Sequence, residues 1–334
     1  MHASLMLEGF ELAFVAGFLL TILPRLTRTP PITTEARIAF VLVQGVLAGA
    51  LTNLLVFGHA CALLVLLLLA VTLVRRMLTR ANDPPEEALF IPVGLGLGMI
   101  GTAFALVGFE PSARLGLRMI SLGMVLSFVL GFGTLLVPVF TEIRDPLVIP
   151  RIAKPHERAG RRLLYLACAA LLALTFVADA LQGHALASFG RAGIGTLMLG
   201  FGWKLWRMPG RRTLPGYVLW ASGWCVGLGL WAAALFPLHE IAAMHLTLLG
   251  GYGVLTMGIA SRVTVTHGGR GPDAEARLVT PLRVTLLALA LATRLIAEFD
   301  PTHAPWWLAA AAACWILAWI GWIGRARSFS APAP

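Results

Sequence analysis

Charge is scarce in this sequence. Asp, Glu, Lys and Arg make up 13% of its 334 residues, where an ordinary soluble domain carries about 25%. Hydrophobic residues make up 58%, and the combination predicts an all-α polytopic membrane protein forming a single transmembrane domain over residues 1–334. Cysteine is sparse too. Cys61, Cys168, Cys225 and Cys314 show no CxxC or CxxH spacing, so neither a disulfide framework nor a covalent cofactor attachment is signalled. No secretory leader precedes the first apolar run and no lipidation motif is evident, so insertion is expected to rest on the spans themselves. The net charge of +10 would suggest nucleic acid in a soluble chain. Its basic residues instead lie between apolar runs, where they set orientation in the lipid bilayer, and nucleic acid is not an expected partner.

A spanning helix needs about 20 mostly apolar residues. Eleven runs qualify: 5–24, 38–57, 59–75, 88–108, 115–140, 163–182, 187–205, 215–236, 240–262, 281–297 and 305–324. Gly58 alone divides the second from the third. Cytoplasmic loops collect Lys and Arg, and 22 of the 26 basic residues fall after the odd-numbered runs or in the tail. Only Arg114, Arg118, Arg191 and Arg294 fall at the opposite ends. The expected orientation has the N-terminus outside and the C-terminus in the cytoplasm. On that orientation His2, His59, His184, His239, His245 and His303 lie at the outer face, and His156 and His267 at the inner one. His59, His184 and His303 are expected to be solvated loop histidines.

The chain also carries signs of an internal repeat. "GFLLTILPRLTR" (Gly17 to Arg28) and "GFGTLLVPVFTE" (Gly131 to Glu142) share the pattern G-F-x5-P-x2-T, and "GYGVLTMGIASR" (Gly251 to Arg262) is a variant of it. Four spans separate each copy from the next, which predicts three four-helix repeats. Three such units need twelve spans, so the first helix of the first unit would be missing. The large subunit of haem–copper oxidases has a similar three-by-four architecture, and on that analogy spans one, five and nine are central.

His245 lies about five residues into the ninth run, roughly 8 Å below the outer boundary at a rise of about 1.5 Å per residue. His2 precedes the first run on the same side. Two histidines on two central helices could approach opposite faces of one planar cofactor, and neutral imidazole is a good axial ligand for haem iron. The alternative for His245 is a hydrogen bond to a neighbouring helix or a lining water.

"MHLTLLGGYGVLTMGIASRVTVTHGGR" resembles the C-terminal signature of NnrS-type membrane proteins, with His245, Ser261, Arg262, Val263, His267, Gly269 and Arg270 on the pattern. "MHASLMLEGFELAFVAGFLLTILPRLTRTPP" resembles the family's first block through His2, Ala3, Met6, Gly9, Gly17, Phe18, Leu19, Leu20, Thr21 and Pro24. The resemblance implies a haem- and copper-containing inner-membrane protein associated with nitric oxide responses and denitrification, with nitric oxide and a redox protein as partners. The chain departs from the first block at Ser4 and Leu5, where the family has a second histidine and a glutamate. That leaves one haem b between His2 and His245 as the cofactor best supported by the residues, and copper as the weaker expectation.

Further charged residues lie in or beside the spans. Glu8 and Glu11 are three apart near the start of span one and could stand in for the missing glutamate as metal or proton-relay groups. His239 and His267 are further candidate metal ligands. Haem propionates need cationic partners, for which Arg294 is the first choice, ahead of Arg118 and Arg114. A pairing of Arg191 with Asp179 is the plainer use of such arginines. Arg262 is expected to reach the inner interface, and His267 to start a turn. No catalytic residue can be named. A proton-coupled transporter of small solutes and a non-enzymatic haem or oxidase assembly factor are the alternatives to a haem protein.

Overall fold

The computed structural model describes residues 2–143 and 155–329, with the side chains of the second stretch described from residue 158. The described residues contain helices and no strand. Eleven long helices follow one another: α1 (His2–Thr27), α2 (Thr34–Leu51), α3 (Leu55–Leu78), α4 (Glu86–Val107), α5 (Ser112–Phe140), α6 (Pro155–Ala180), α7 (His184–Leu197, carried on by Met198–Gly202), α8 (Leu214–Leu235), α9 (Pro237–His267), α10 (Pro281–Phe299) and α11 (Ala304–Phe329). Nine of them are long and apolar enough to cross a membrane. The protein is a polytopic membrane protein. The two that fall short are α7, whose α-helical part has 14 residues, and α10, which carries Arg283, Arg294 and Glu298 in 19. The eleven runs therefore stand as nine membrane-crossing helices and two marginal ones. Arg144, Arg151, Lys154 and the side chain of His156, expected in the inner loop, lie outside the described residues.

The break between the second and third runs corrects the expectation of a turn at Gly58. The chain turns at Asn53, which adopts a left-handed conformation at φ 59°, and α3 begins two residues later. Asn tolerates that conformation because its short polar side chain can bond locally. Gly58 lies inside α3, where it meets Gly49 of α2: a Cβ on Gly49 would sit 2.6 Å from the Gly58 nitrogen. Two glycines let these backbones come together as small residues do between membrane helices.

Four helices contain π-helical segments, at Leu5–Glu11 in α1, Met119–Val125 in α5, Met198–Gly202 at the end of α7 and Leu246–Gly253 in α9. Such segments are rare and recur at functional sites, because the wider turn frees backbone groups from the regular ladder and rotates the side chains that follow.

The chain divides into two compact units, residues 1–132 with 150–190, and residues 133–149 with 191–334. In the first unit α1 packs on α2 and α3, while α4 meets α5 and α6. In the second, α8 packs along α9, and α10 and α11 form a hairpin tied by the Arg283 guanidinium, which donates to the Gly321 carbonyl at 2.8 Å. Large apolar side chains such as Phe40, Val41, Leu163 and Trp306 remain exposed on the outside of the helices. A lipid-facing surface requires this.

Candidate functional site

In the second unit, α9 begins at Pro237 and carries His245 immediately before its π-helical segment. The His245 Nδ1–H donates to the Ile241 carbonyl one turn back at 2.7 Å. This bond puts a proton on Nδ1, as in imidazoles that bind a metal through Nε2. The ring is half-buried. Glu240–His245 packs against α10, which carries Arg294, itself half-buried, one turn before Glu298. Glu298 Oε1 is 3.5 Å from His239 Nδ1. One histidine of suitable tautomer and one arginine thus stand on two packed helices of the same unit. The donor set fits an axial imidazole and a carboxylate-binding guanidinium.

His2 is the first described residue of α1 and is exposed. It belongs to the first unit. In that unit Arg114 is 72% exposed beside Glu110, at 3.4 Å. Arg118 Nη1 lies 3.6 Å from the buried Asp179 and 3.3 Å from His184 Nδ1, which is itself 2.9 Å from Asp179. Asp179 therefore serves Arg118 within this unit. His184 and His303 are largely exposed, as expected, and His303 caps its turn through Asp300 at 3.1 Å. Asp300 also accepts from Trp307 at 3.0 Å, and that bond above all holds its carboxyl below the usual range.

His59 departs from the expectation of a solvated loop residue. It lies one turn into α3, buried, with Nδ1 2.5 Å from Glu8 Oε2 of α1. The two residues are 51 positions apart, so nothing local in the sequence signals the pair. A metal ion bound by both atoms would hold each at about 2 Å, with the two roughly 3 Å apart. Glu8 and His59 stand closer than that, at hydrogen-bonding distance. Among the described residues no three His, Cys, Asp or Glu side chains gather as a metal site.

The C-terminal end of α9 is an ion-pair knot that sequence reasoning missed. Glu275, 2% exposed, forms an ion pair with Arg262 through Oε1 and accepts from Arg211 through Oε2 at 3.4 Å. Arg211 also reaches Asp273 at 3.1 Å. The Arg262 guanidinium lies 4.9 Å from the centre of the Phe140 ring and donates to the Phe140 carbonyl at 3.4 Å. Arg262 is thus held in a knot of side chains, beyond its expected reach to the interface. Ser261 accepts from the Trp322 indole at 2.8 Å, and Arg270 stacks over Phe329 at 4.5 Å. Gly269 sits at φ 67°, and a Cβ on Gly268 would meet the Phe329 carbonyl. His267 donates from Nδ1 to the Val263 carbonyl at 2.8 Å and ends the helix. The conformations of Ser261, Arg262, Gly269 and Arg270 therefore hold a loop and the chain's last helix together.

These are the positions on which the family resemblance was read. The family model described as NnrS protein matches residues 1–329. The chain belongs to the NnrS family. No curated protein and no solved structure matches it. Within this NnrS-family chain, the C-terminal block includes a structural part, Ser261 to Arg270, and His245 one helix end away, whose Nδ1 donates to the Ile241 carbonyl.

Proposed function

We propose that this NnrS-family protein binds haem b near the periplasmic face of the inner membrane and acts in the response to nitric oxide or in denitrification. The observation that carries the proposal is the family match over nearly the whole chain, together with the His245 tautomer set by the Ile241 carbonyl. His245 is the proposed axial ligand, His2 the second candidate ligand, and Arg294 the propionate partner. Arg118 and Arg114 rank behind Arg294, since only Arg294 stands in the same unit as His245, on a helix packed against it. When bound, haem iron supplies a centre that takes up an electron or a diatomic ligand. The protein's part is to orient the imidazole and to neutralise the propionates. Copper has less support, since no three-residue ligand group is present among the described residues.

The proposal extends to the architecture. The π-helical segments of α1 and α5 begin at Leu5 and Met119, 114 residues apart, as do Gly17 and Gly131. Both segments have seven residues. The segment of α9 begins at Leu246, and in its frame Gly250 matches Gly9 and Gly123, while Gly258 replaces Gly251 as the partner of Gly17 and Gly131. The three copies thus share a glycine at the fifth position of the segment and another eight residues on. This supports a three-fold repeat of the oxidase-like kind. Of the nine membrane-crossing helices, α5 and α9 are the most buried, at 89% and 56%, as central helices would be, while α1 at 44% is level with several others.

The test is the visible spectrum of the detergent-purified protein, oxidised and reduced, for wild type, His245→Ala and His2→Ala. A bis-histidine haem b spectrum, lost in His245→Ala and changed in His2→Ala, is the expected result. A colourless wild type after expression with ample haem overturns the proposal and brings forward the proton-coupled transporter.

A further inference from the structure

We propose that the open end of the α10–α11 hairpin, where Arg283 and Arg325 stand, binds the headgroup of an anionic phospholipid whose acyl chains lie along α11. The whole site falls within the second unit. Arg270 and Arg325 hold their guanidinium groups against one buried ring, that of Phe329, at 4.5 and 5.9 Å from its centre. Arg283 donates to the carbonyls of Leu278 at 2.7 Å and of Gly321 at 2.8 Å, the latter one turn before Arg325 on α11. Carbonyls and a ring face keep these cations in place without a formal negative charge to neutralise them. The two carboxylates of the adjoining loop, Asp273 and Glu275, are engaged by Arg211 and Arg262. The α11 helix has no Asp or Glu, and Glu298 of α10 lies at the opposite end of that helix. Among the described residues Arg270, Arg283, Arg325 and Arg327 therefore form no ion pair with a carboxylate. Cations brought together in this way attract an external anion, and the planar arginine fork suits a phosphate.

The apolar surface beside these arginines selects a lipid over a soluble phosphate. Of the nine membrane-crossing helices α11 is the least buried, at 22%, so most of its length faces outward. Ile316, Ile320 and Ile323 are exposed, and their spacing of four and then three residues puts them on one face of the helix. Arg327, four residues past Ile323 and also exposed, continues that face. Leu282, exposed on α10, precedes Arg283 directly. An apolar stripe thus ends in a group of cations, which is the complement of a molecule with hydrocarbon chains and a negative head. Basic groups beside a membrane helix attract anionic lipids in this way. In the first unit Arg80 and Arg161 face Asp83 and Glu86 instead, so their charge is partly met by the protein itself.

Native mass spectrometry of the detergent-purified full chain, titrated with phosphatidylglycerol or with phosphatidylcholine of the same acyl chains, tests this. Wild type should bind phosphatidylglycerol about tenfold more tightly or better. The double variant Arg325→Gln, Arg327→Gln should lose that preference while keeping the Arg283 bond to Gly321. A control with two charges removed from α3 of the first unit, Arg75→Gln with Arg76→Gln, should keep it. Equal affinity of wild type for the two lipids overturns the proposal even if no variant folds. A preference lost equally in both double variants overturns it too, because diffuse charge would then explain the binding, and so does a preference kept in Arg325→Gln, Arg327→Gln. Glycerol phosphate that displaces the bound lipid at equal concentration would show that the acyl chains contribute nothing and would reject the lipid as ligand. The measurement needs no cofactor, so its outcome is independent of haem binding.

Discussion

Glu275 illustrates how much one side chain can hold. Buried to 2%, it is the shared carboxylate of Arg211 and Arg262. Removing one member of a buried ion-pair group strands the others without solvent, at a cost of about 3–5 kcal/mol. Glu275→Ala should therefore lower the denaturant midpoint of the detergent-solubilised protein markedly. Adding Arg262→Met to it should cost less than the sum of the two single changes, because the stranded cation is gone. A Glu275→Ala protein as stable as wild type would mean that the knot is solvated. None of this was legible beforehand, since Glu275 lies in a polar stretch that reads as an ordinary loop. His245 was legible, because a histidine inside an apolar run stands out at once. The Glu8–His59 pair was half legible: the carboxylate stood out in span one, but its partner came from another helix.

At the scale of the element, the apolar runs and basic loops foretold the helices because burial in lipid demands long uninterrupted hydrophobicity. Turn positions were less visible. Gly58 reads in sequence as the divide between two apolar runs, whereas in α3 it serves close packing against Gly49. Gly49→Ala should then destabilise the protein by about 1–3 kcal/mol, since the added methyl meets backbone that cannot move aside. Gly96→Ala on α4, where a Cβ meets nothing within 4 Å, should be neutral or stabilise by up to about 1 kcal/mol. Thermal unfolding of the two variants side by side separates the cases, and equal losses would reject the close approach of α2 and α3. The π-helical segments were invisible in composition, because an extra residue per turn changes no hydrophobicity. They became evident only through backbone geometry, and they then supplied a register for the repeat that side-chain matching had placed seven residues away in α9.

At the scale of the molecule, the distribution of Arg and Lys predicts the topology. A fluorescent reporter fused after the last residue should be bright and an alkaline phosphatase there silent. A phosphatase inserted at Gln182–Gly183, the turn between α6 and α7, should be active. The reverse pattern would reject the assigned orientation. The two units have a consequence for biosynthesis. Each is assembled from separated stretches of chain: residues 133–149 belong with 191–334, while 150–190 belong with the beginning. As the ribosome delivers the chain in order, the second half of α5 and the residues that follow it emerge well before the rest of their unit, which resumes at Arg191. They must wait in the membrane while α6 completes the earlier unit. Neither unit can be expressed as a simple fragment, and a premature stop near residue 180 would strand a helix end whose partners have not yet been made.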